Sequence, residues 1–428
     1  MKYIFLSVFG RQKERIASSR VYNFVNYLSK NNDVYVILSR DVNSSEYNYN
    51  FCKGDYDLPL RFIKKSKGFS NKSNKKPNKI KKIIKNYVTN NISSFKGYRS
   101  YESGNLYFLG HNKGYINKIL DEIIVEKNTV LITSSGPSKI NYFGYIIKKK
   151  NPNVFWVADY RDLNQNNPYK SDKFNFKGKK MDKLAFKHAD LITSVSKGLV
   201  EQNIQNAKNM GYDIKDKSYV LYNGFSKFNN TEIEDEKLHQ KYNKIINTKK
   251  IKIVFTGTIY PLRRIDIFLK ALKETKEVLF IYAGNSYQMV QFYTKHFNIE
   301  NKVKNLKFIP KEEAEYLQKK SDLLLQLKAE KEEKGILTGK FFEYLQKNKR
   351  ILSLGDKDKE YNEICKSLKN VDILSYDKEK IVNYFNEIKK EDLSEKYDPN
   401  IERFSWENLT KEFDNYITKK LKERNFDK

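Results

Sequence analysis

The sequence predicts an α/β protein with two doubly wound parallel sheets in succession. Three observations point there. Short, continuously apolar runs recur along the chain, each followed by a Gly/Ser/Asn turn and a helical pattern, as expected of strands buried on both faces of a parallel sheet. A polar and charged stretch over 227–250 interrupts that rhythm before it restarts. The length, 428 residues, exceeds one ordinary core and suits two or three domains.

Taken in order, the first series predicts strands at 3–9, 34–38, 130–133, 154–158, 191–195 and 219–222. The second predicts strands at 251–256, 278–283, 323–327 and 350–354. The opening MKYIFLSVFGRQKERI carries one Lys and a short apolar run ending at Gly10, which predicts a first strand and its turn rather than a signal peptide. Two segments stand outside the rhythm. Residues 58–101 hold thirteen Lys or Arg and no acidic residue, with Ile80, Ile83, Ile84, Tyr87 and Val88 on one helical face. Near the C-terminus, Leu409, Phe413, Tyr416, Ile417 and Leu421 have helical spacing.

Lys+Arg minus Asp+Glu is 82 − 52, a formal charge of +30, while 39% hydrophobic and 14% aromatic residues exclude wholesale disorder. Such a charge suits nucleic acid, an acidic membrane face or phosphorylated substrates, or reflects Lys-rich coding. Two cysteines, Cys52 and Cys365, cannot build a disulfide framework or a four-ligand zinc site. No apolar run reaches the ~18 residues of a membrane span.

Two loops carry the chemistry. In GILTGKFFEYL, Thr338 is placed to cap a helix opened by Gly339 and Lys340. A lysine there sits at the positive end of the helix dipole, an unfavourable place unless an anion binds. Glu343, one turn on, shares that face and suits the two hydroxyls of a ribose. The same residues would also make a capped surface helix. In GTIYPLRR, Gly257 ends an apolar strand and lets backbone approach a ligand. Arg263 and Arg264 offer guanidinium forks to phosphate oxygens, or a solvated surface pair. In the first half, Ser134–Gly136 and Asp159–Asp162 also follow strands. Asp162 and Arg161 are the catalytic candidates there, though an Arg between two Asp residues also makes a purely structural ion pair. His111 and His188 are further acid–base candidates by type. Asp356-Lys357-Asp358 reads as a solvated turn rather than a metal motif.

These pieces in their order resemble a GT-B glycosyltransferase of the family 4 type, over nearly the whole chain. The resemblance runs through the Gly10 turn and RIASSRVYNFVNYLSKNNDVYVIL, then SSGPSK, VADYRDL, ADLITSVSKGL, YNGF, FTGTIYPLRR, TGKFFEYL with its trailing KNKRIL, and FSWENL. It is nearest to enzymes of bacterial surface-polysaccharide assembly. It implies two Rossmann-like domains facing a central cleft, one of residues 1–225 with the basic insert at 58–101, the other of 226–404. A helix from about 405 to 428 would return to the first. The second domain would hold the nucleotide-sugar, with Arg264 on the pyrophosphate and Glu343, the second of two signature glutamates, on the ribose. Asn223-Gly224 matches the hinge.

The resemblance further implies transfer with retention of anomeric configuration and no metal or other cofactor. Gly335 occupies the first signature glutamate's position, with Glu330, Glu332 and Glu333 out of register. Backbone over 335–339 would then serve the donor. Partners expected are a UDP- or GDP-sugar, a glycan or lipid-linked acceptor, and an anionic membrane met through 64–88. No nucleic acid is expected, and the location is cytoplasmic, peripheral on the inner face of the plasma membrane. Alternatives are a GT-B sugar-nucleotide epimerase, a nucleic-acid-binding protein and a non-catalytic scaffold.

Overall fold

The computed structural model describes residues 1–7, 16–38, 128–136, 138–167, 171–226, 236–393 and 397–426. They form two compact units, one of Met1–Val195, Leu199–Leu221 and Thr410–Lys428, the other of Ser196–Gly198 and Tyr222–Leu409.

The first unit runs β1 (Lys2–Ser7), α1 (Ile16–Leu28), β2 (Asp33–Leu38), β3 (Thr129–Ser135), α2 (Ile140–Lys150), β4 (Phe155–Tyr160), α3 (Asp172–His188), β5 (Leu191–Ser194), α4 (Lys197–Lys208) and β6 (Ser218–Val220). Its sheet has the order β2-β1-β3-β4-β5-β6, parallel throughout. Every residue of β3, β4 and β5 is buried, which is why those strands read as unbroken apolar runs. Strand β4 extends two residues past the predicted end because Asp159 and Tyr160 are buried with polar partners of their own.

The second unit runs α5 (Glu236–Ile246), β7 (Ile251–Thr256), α6 (Ile265–Leu272), β8 (Val278–Ala283), α7 (Tyr287–His296), β9 (Val303–Asn305), α8 (Lys311–Lys319), β10 (Leu323–Leu327), α9 (Gly339–Gln346), β11 (Arg350–Leu354), α10 (Lys359–Lys366), β12 (Val371–Leu374) and α11 (Lys378–Glu387). Its order is β12-β11-β10-β7-β8-β9, again parallel. The edge strands β9 and β12 have no counterpart in the sequence reading. Only Val303 of β9 is buried and no residue of β12 is fully so, and Lys304, Asn305 and Asp372 interrupt what would be an apolar run.

Helix α12 (Trp406–Phe426) closes the chain. From Thr410 onward it belongs to the first unit. There Phe413 meets Phe24 at 5.2 Å, Tyr416 meets Tyr219 at 4.5 Å, and the Tyr3 hydroxyl donates to Asp414 at 2.6 Å. The apolar stripe at helical spacing thus faces β1, α1 and β6. Cys365 is a buried free thiol that its surroundings push up to about 12, burial being the main cause. Cys52 lies outside the described residues. Among the described residues no helix is long and apolar enough to cross a membrane.

Candidate functional site

In the second sheet the strand order reverses between β7 and β10. The helices that follow these two strands, α6 and α9, pack into different apolar clusters, and such a switch point is where open α/β sheets hold ligands. Both chemistry-bearing loops of the second unit start there. Gly257 follows β7 with φ at +116°, and a Cβ on it would lie 2.7 Å from Lys340 Nζ. The backbone angle therefore favours glycine here, and the Lys340 ammonium lies close against it. The loop is fastened to β8: Gly257 N–H donates to the Ala283 carbonyl at 2.7 Å, and Tyr282 Oη donates to the Gly257 carbonyl at 2.9 Å.

Helix α9 brings the second set. Lys340 lies in its first turn, with Nζ 3.8 Å from the centre of the Phe255 ring. Protein encloses the side chain on most sides while part of it stays open to solvent. Burial pulls its pKa down to about 8, with Glu343 acting upward and Arg263 downward. Burial likewise raises the Glu343 carboxyl, against the charges of Lys311, Lys340 and Lys347. Gly339, Lys340 and Glu343 are all half-buried on this helix. Thr338 occupies the N-cap with extended backbone, yet its hydroxyl makes no capping bond. It accepts instead from Gln326 Nε2 at 3.2 Å, so the predicted cap is right in position and wrong in bonding.

The two arginines are already engaged. Arg263 forms a two-pronged pair with Glu333, at 2.7 and 3.2 Å, with both side chains 7% exposed. Arg264, 37% exposed, pairs with Asp266 at 2.8 Å and with Glu330 at 3.0 Å. Two of the three glutamates left out of register by the sequence pattern, Glu330 and Glu333, are thus the arginines' partners, which residue spacing did not signal. Gly335 turns the loop at φ +79°, where a glutamate would cost about 1–2 kcal/mol in backbone strain. Lys328, 2% exposed at the end of β10, ties that loop down through Asp358 at 2.7 Å and the Ile336 carbonyl at 2.8 Å. Asp358 also caps α10 through the Tyr361 N–H. The expectation that 356–358 is a solvated turn is corrected at Asp358, because Lys328 draws it inward. The signal was a lysine ending the apolar run LLLQLK.

In the first unit Arg161 Nε donates to the Ser135 carbonyl at 3.0 Å and Nη2 to the Gly136 carbonyl at 3.3 Å. Asp162 is exposed beside it. The buried ion pair here is instead Arg20 with Asp159, at 2.8 Å, with Ser134 and Thr193 hydroxyls also donating to the carboxylate. Burial would raise the Asp159 pKa, but the charge and hydrogen bonds of Arg20, the Thr193 hydroxyl and the Arg161 charge hold it below the usual range. Neither Arg20 nor Thr193 was foreseen as part of this cluster.

A second buried carboxyl braces the 161–167 loop. Asp182 of α3 accepts from Tyr160 at 2.9 Å and from Asn164 and Gln165 at 2.8 Å each. Burial pushes it up to about 6 against those hydrogen bonds. A raised folded-state pKa favours the folded state below the unfolded value near 3.9, and that stabilisation is lost as pH rises through about 6. Urea unfolding at pH 4 and pH 7.5 should therefore show wild type losing on the order of 3 kcal/mol relative to Asp182→Asn. A pH-independent difference between the two proteins would disprove the assignment.

Gly10, His111 and the basic 64–88 stretch lie outside the described residues. His188 packs on Tyr145 at 4.8 Å ahead of β5, and burial with Lys187 and Lys217 lowers its pKa. Among the described residues no group of three or more His, Cys, Asp or Glu is placed to hold a metal ion.

No protein-family description and no curated protein matches the sequence. Solved structures do. The N-terminal domain of Candida albicans trehalose-6-phosphate phosphatase aligns with a TM-score of 0.60 at 13% identity, over 98% of this chain and 97% of that one. Anabaena HepE in complex with UDP-glucose aligns with a TM-score of 0.59 at 14% identity, over 98% of this chain and 100% of that one. The same protein bound to UDP gives 0.60. With these likenesses and the two parallel sheets, the chain has the GT-B fold, built from two Rossmann-like units.

Proposed function

We propose that the chain is a retaining glycosyltransferase of the family 4 type. It moves a sugar from a UDP- or GDP-sugar to a glycan or lipid-linked acceptor in bacterial surface-polysaccharide assembly. The observation that carries this reading is the Lys340 ammonium, drawn into low-dielectric surroundings in the first turn of α9 and against Gly257. A partly buried cation at a helix N-terminus is disfavoured twice, by desolvation and by the dipole. A diphosphate reverses both, and HepE, of the same fold, was solved with UDP-glucose. Glu343, one turn along, would take the ribose hydroxyls. Lys340 and Arg264, the more open of the two arginines, would stabilise charge growing on the leaving diphosphate. Backbone around Gly335 and Gly339 would face the donor sugar. In the first unit, Asp162 would orient the acceptor hydroxyl beside Arg161, and the departing phosphate would accept its proton.

Thermal-shift screening against UDP, GDP and their sugars tests the donor site. One nucleotide at a hundred times its Kd should add about 2.7 kcal/mol of stability, and Glu343→Ala and Arg264→Ala should weaken or remove that gain. Retention is read from the anomeric proton of the product. Conversion of free UDP-N-acetylglucosamine with no acceptor present would overturn the transferase reading in favour of an epimerase.

A further inference from the structure

Gln326 is a polar side chain in an apolar wall. It interrupts LLLQL near the C-terminal end of β10 and is 2% exposed. Side chains alternate along a strand, so Gln326 shares a face with Leu324, which packs in one cluster with Phe341, Phe342 and Tyr344 of α9. Its Nε2 donates to Thr338 Oγ1 at 3.2 Å. Among the described residues its Oε1 is buried without a hydrogen-bond partner. Turning the amide over would instead bury an NH2 group with neither proton bonded. A methionine of similar size would strand no polar atom at all, so the amide is a net cost to folding.

Thr338 is half-buried at the N-cap of α9 and makes no side-chain cap to the first turn. A hydroxyl oxygen that accepts from Nε2 turns its own proton away from that donor. The helix start therefore offers uncapped N–H groups, a directed hydroxyl proton and the Lys340 ammonium. We propose that Gln326 is a positioning residue of the donor site: by holding Thr338 Oγ1 from β10, it aims the hydroxyl proton at a phosphate oxygen of the nucleotide. A free hydroxyl divides itself among three staggered positions, and the Gln326 bond fixes one of them before the ligand arrives. The inference rests on the donor reading above and adds to it a residue that touches no substrate.

A double-mutant cycle on the full chain tests it, with UDP and GDP titrated calorimetrically and the thermal midpoint read without ligand. Thr338→Val, at a half-buried position, should weaken binding about tenfold or more, the worth of a hydrogen bond to a charged group. Gln326→Met should weaken it about threefold while melting no lower than wild type, a split that a merely structural glutamine would not give. The double variant should bind as Thr338→Val does, because an absent hydroxyl needs no aiming. Thr338→Ser should keep both the affinity and the dependence on Gln326. Undiminished binding in Gln326→Met or in Thr338→Val, or losses that multiply in the double variant, would overturn the inference. If Lys340→Met loses binding while Thr338→Val does not, the donor reading stands and this inference falls. A wild type that binds neither UDP nor GDP would overturn both.

Discussion

Arg20→Ala is expected to destabilise the first unit by about 3–5 kcal/mol, because it strips the cation from a buried carboxylate. Arg20 and Asp159 are 4% and 7% exposed, and Arg20 also donates to the Leu221 carbonyl at 3.0 Å. Serine and threonine hydroxyls would remain on Asp159, yet they do not supply the lost charge. The lowered pKa of Asp159 makes this pair's contribution present above the unfolded value and lost as pH falls through the folded one. The variant should therefore lose most relative to wild type near neutrality and least in acid. Calorimetric unfolding at several pH values checks the pattern. Arg20→Met/Asp159→Leu should recover much of the loss, since a matched apolar pair no longer strands a charge. A single variant as stable as wild type at pH 7 would contradict the account.

Lys340→Met is expected to act in opposite directions on stability and binding. The lysine's pKa, lowered to about 8, lies below the unfolded value near 10.4. The folded state therefore holds the ammonium at a cost below pH 8, and stability rises as pH climbs between the two values. Removing the charge should raise stability at pH 7 by on the order of 1–3 kcal/mol. Glu343 keeps Lys311 and Lys347 as neighbouring charges in that variant. Nucleotide binding should fall at least about thirtyfold, the worth of one charge-assisted hydrogen bond. A variant both less stable and undiminished in binding would show that Lys340 is a structural cation.

The unequal legibility of the chain follows from what each feature depends on. Strands buried on both faces, such as β4 and β7, announce themselves as apolar runs, and the polar gap between the two series separates the sheets. β9 and β12 are short and interrupted by Lys304, Asn305 and Asp372, and leave no such trace. Gly257, Lys340 and Glu343 were legible because a glycine after a strand and a lysine at a helix start have local consequences. Ion-pair partners are not local. Glu333 lies 70 residues from Arg263, and Asp159 lies 139 from Arg20, so only the folded sheet brings them together. Thr338 shows both sides of this. Its backbone position was readable, while the bond its hydroxyl makes depends on Gln326 of β10.

The most direct test of the central claim, a diphosphate gripped by Lys340 at the start of α9, is calorimetric titration at pH 8. The stabilising nucleotide is titrated in two buffers of different ionisation enthalpy. With a pKa of about 8 in the free protein, roughly half the lysines are neutral at that pH. A bound diphosphate must return them to the charged form. The account predicts uptake of about half a proton per nucleotide bound, abolished in Lys340→Met. Binding with no proton uptake at pH 8, or uptake that persists in the variant, would contradict it.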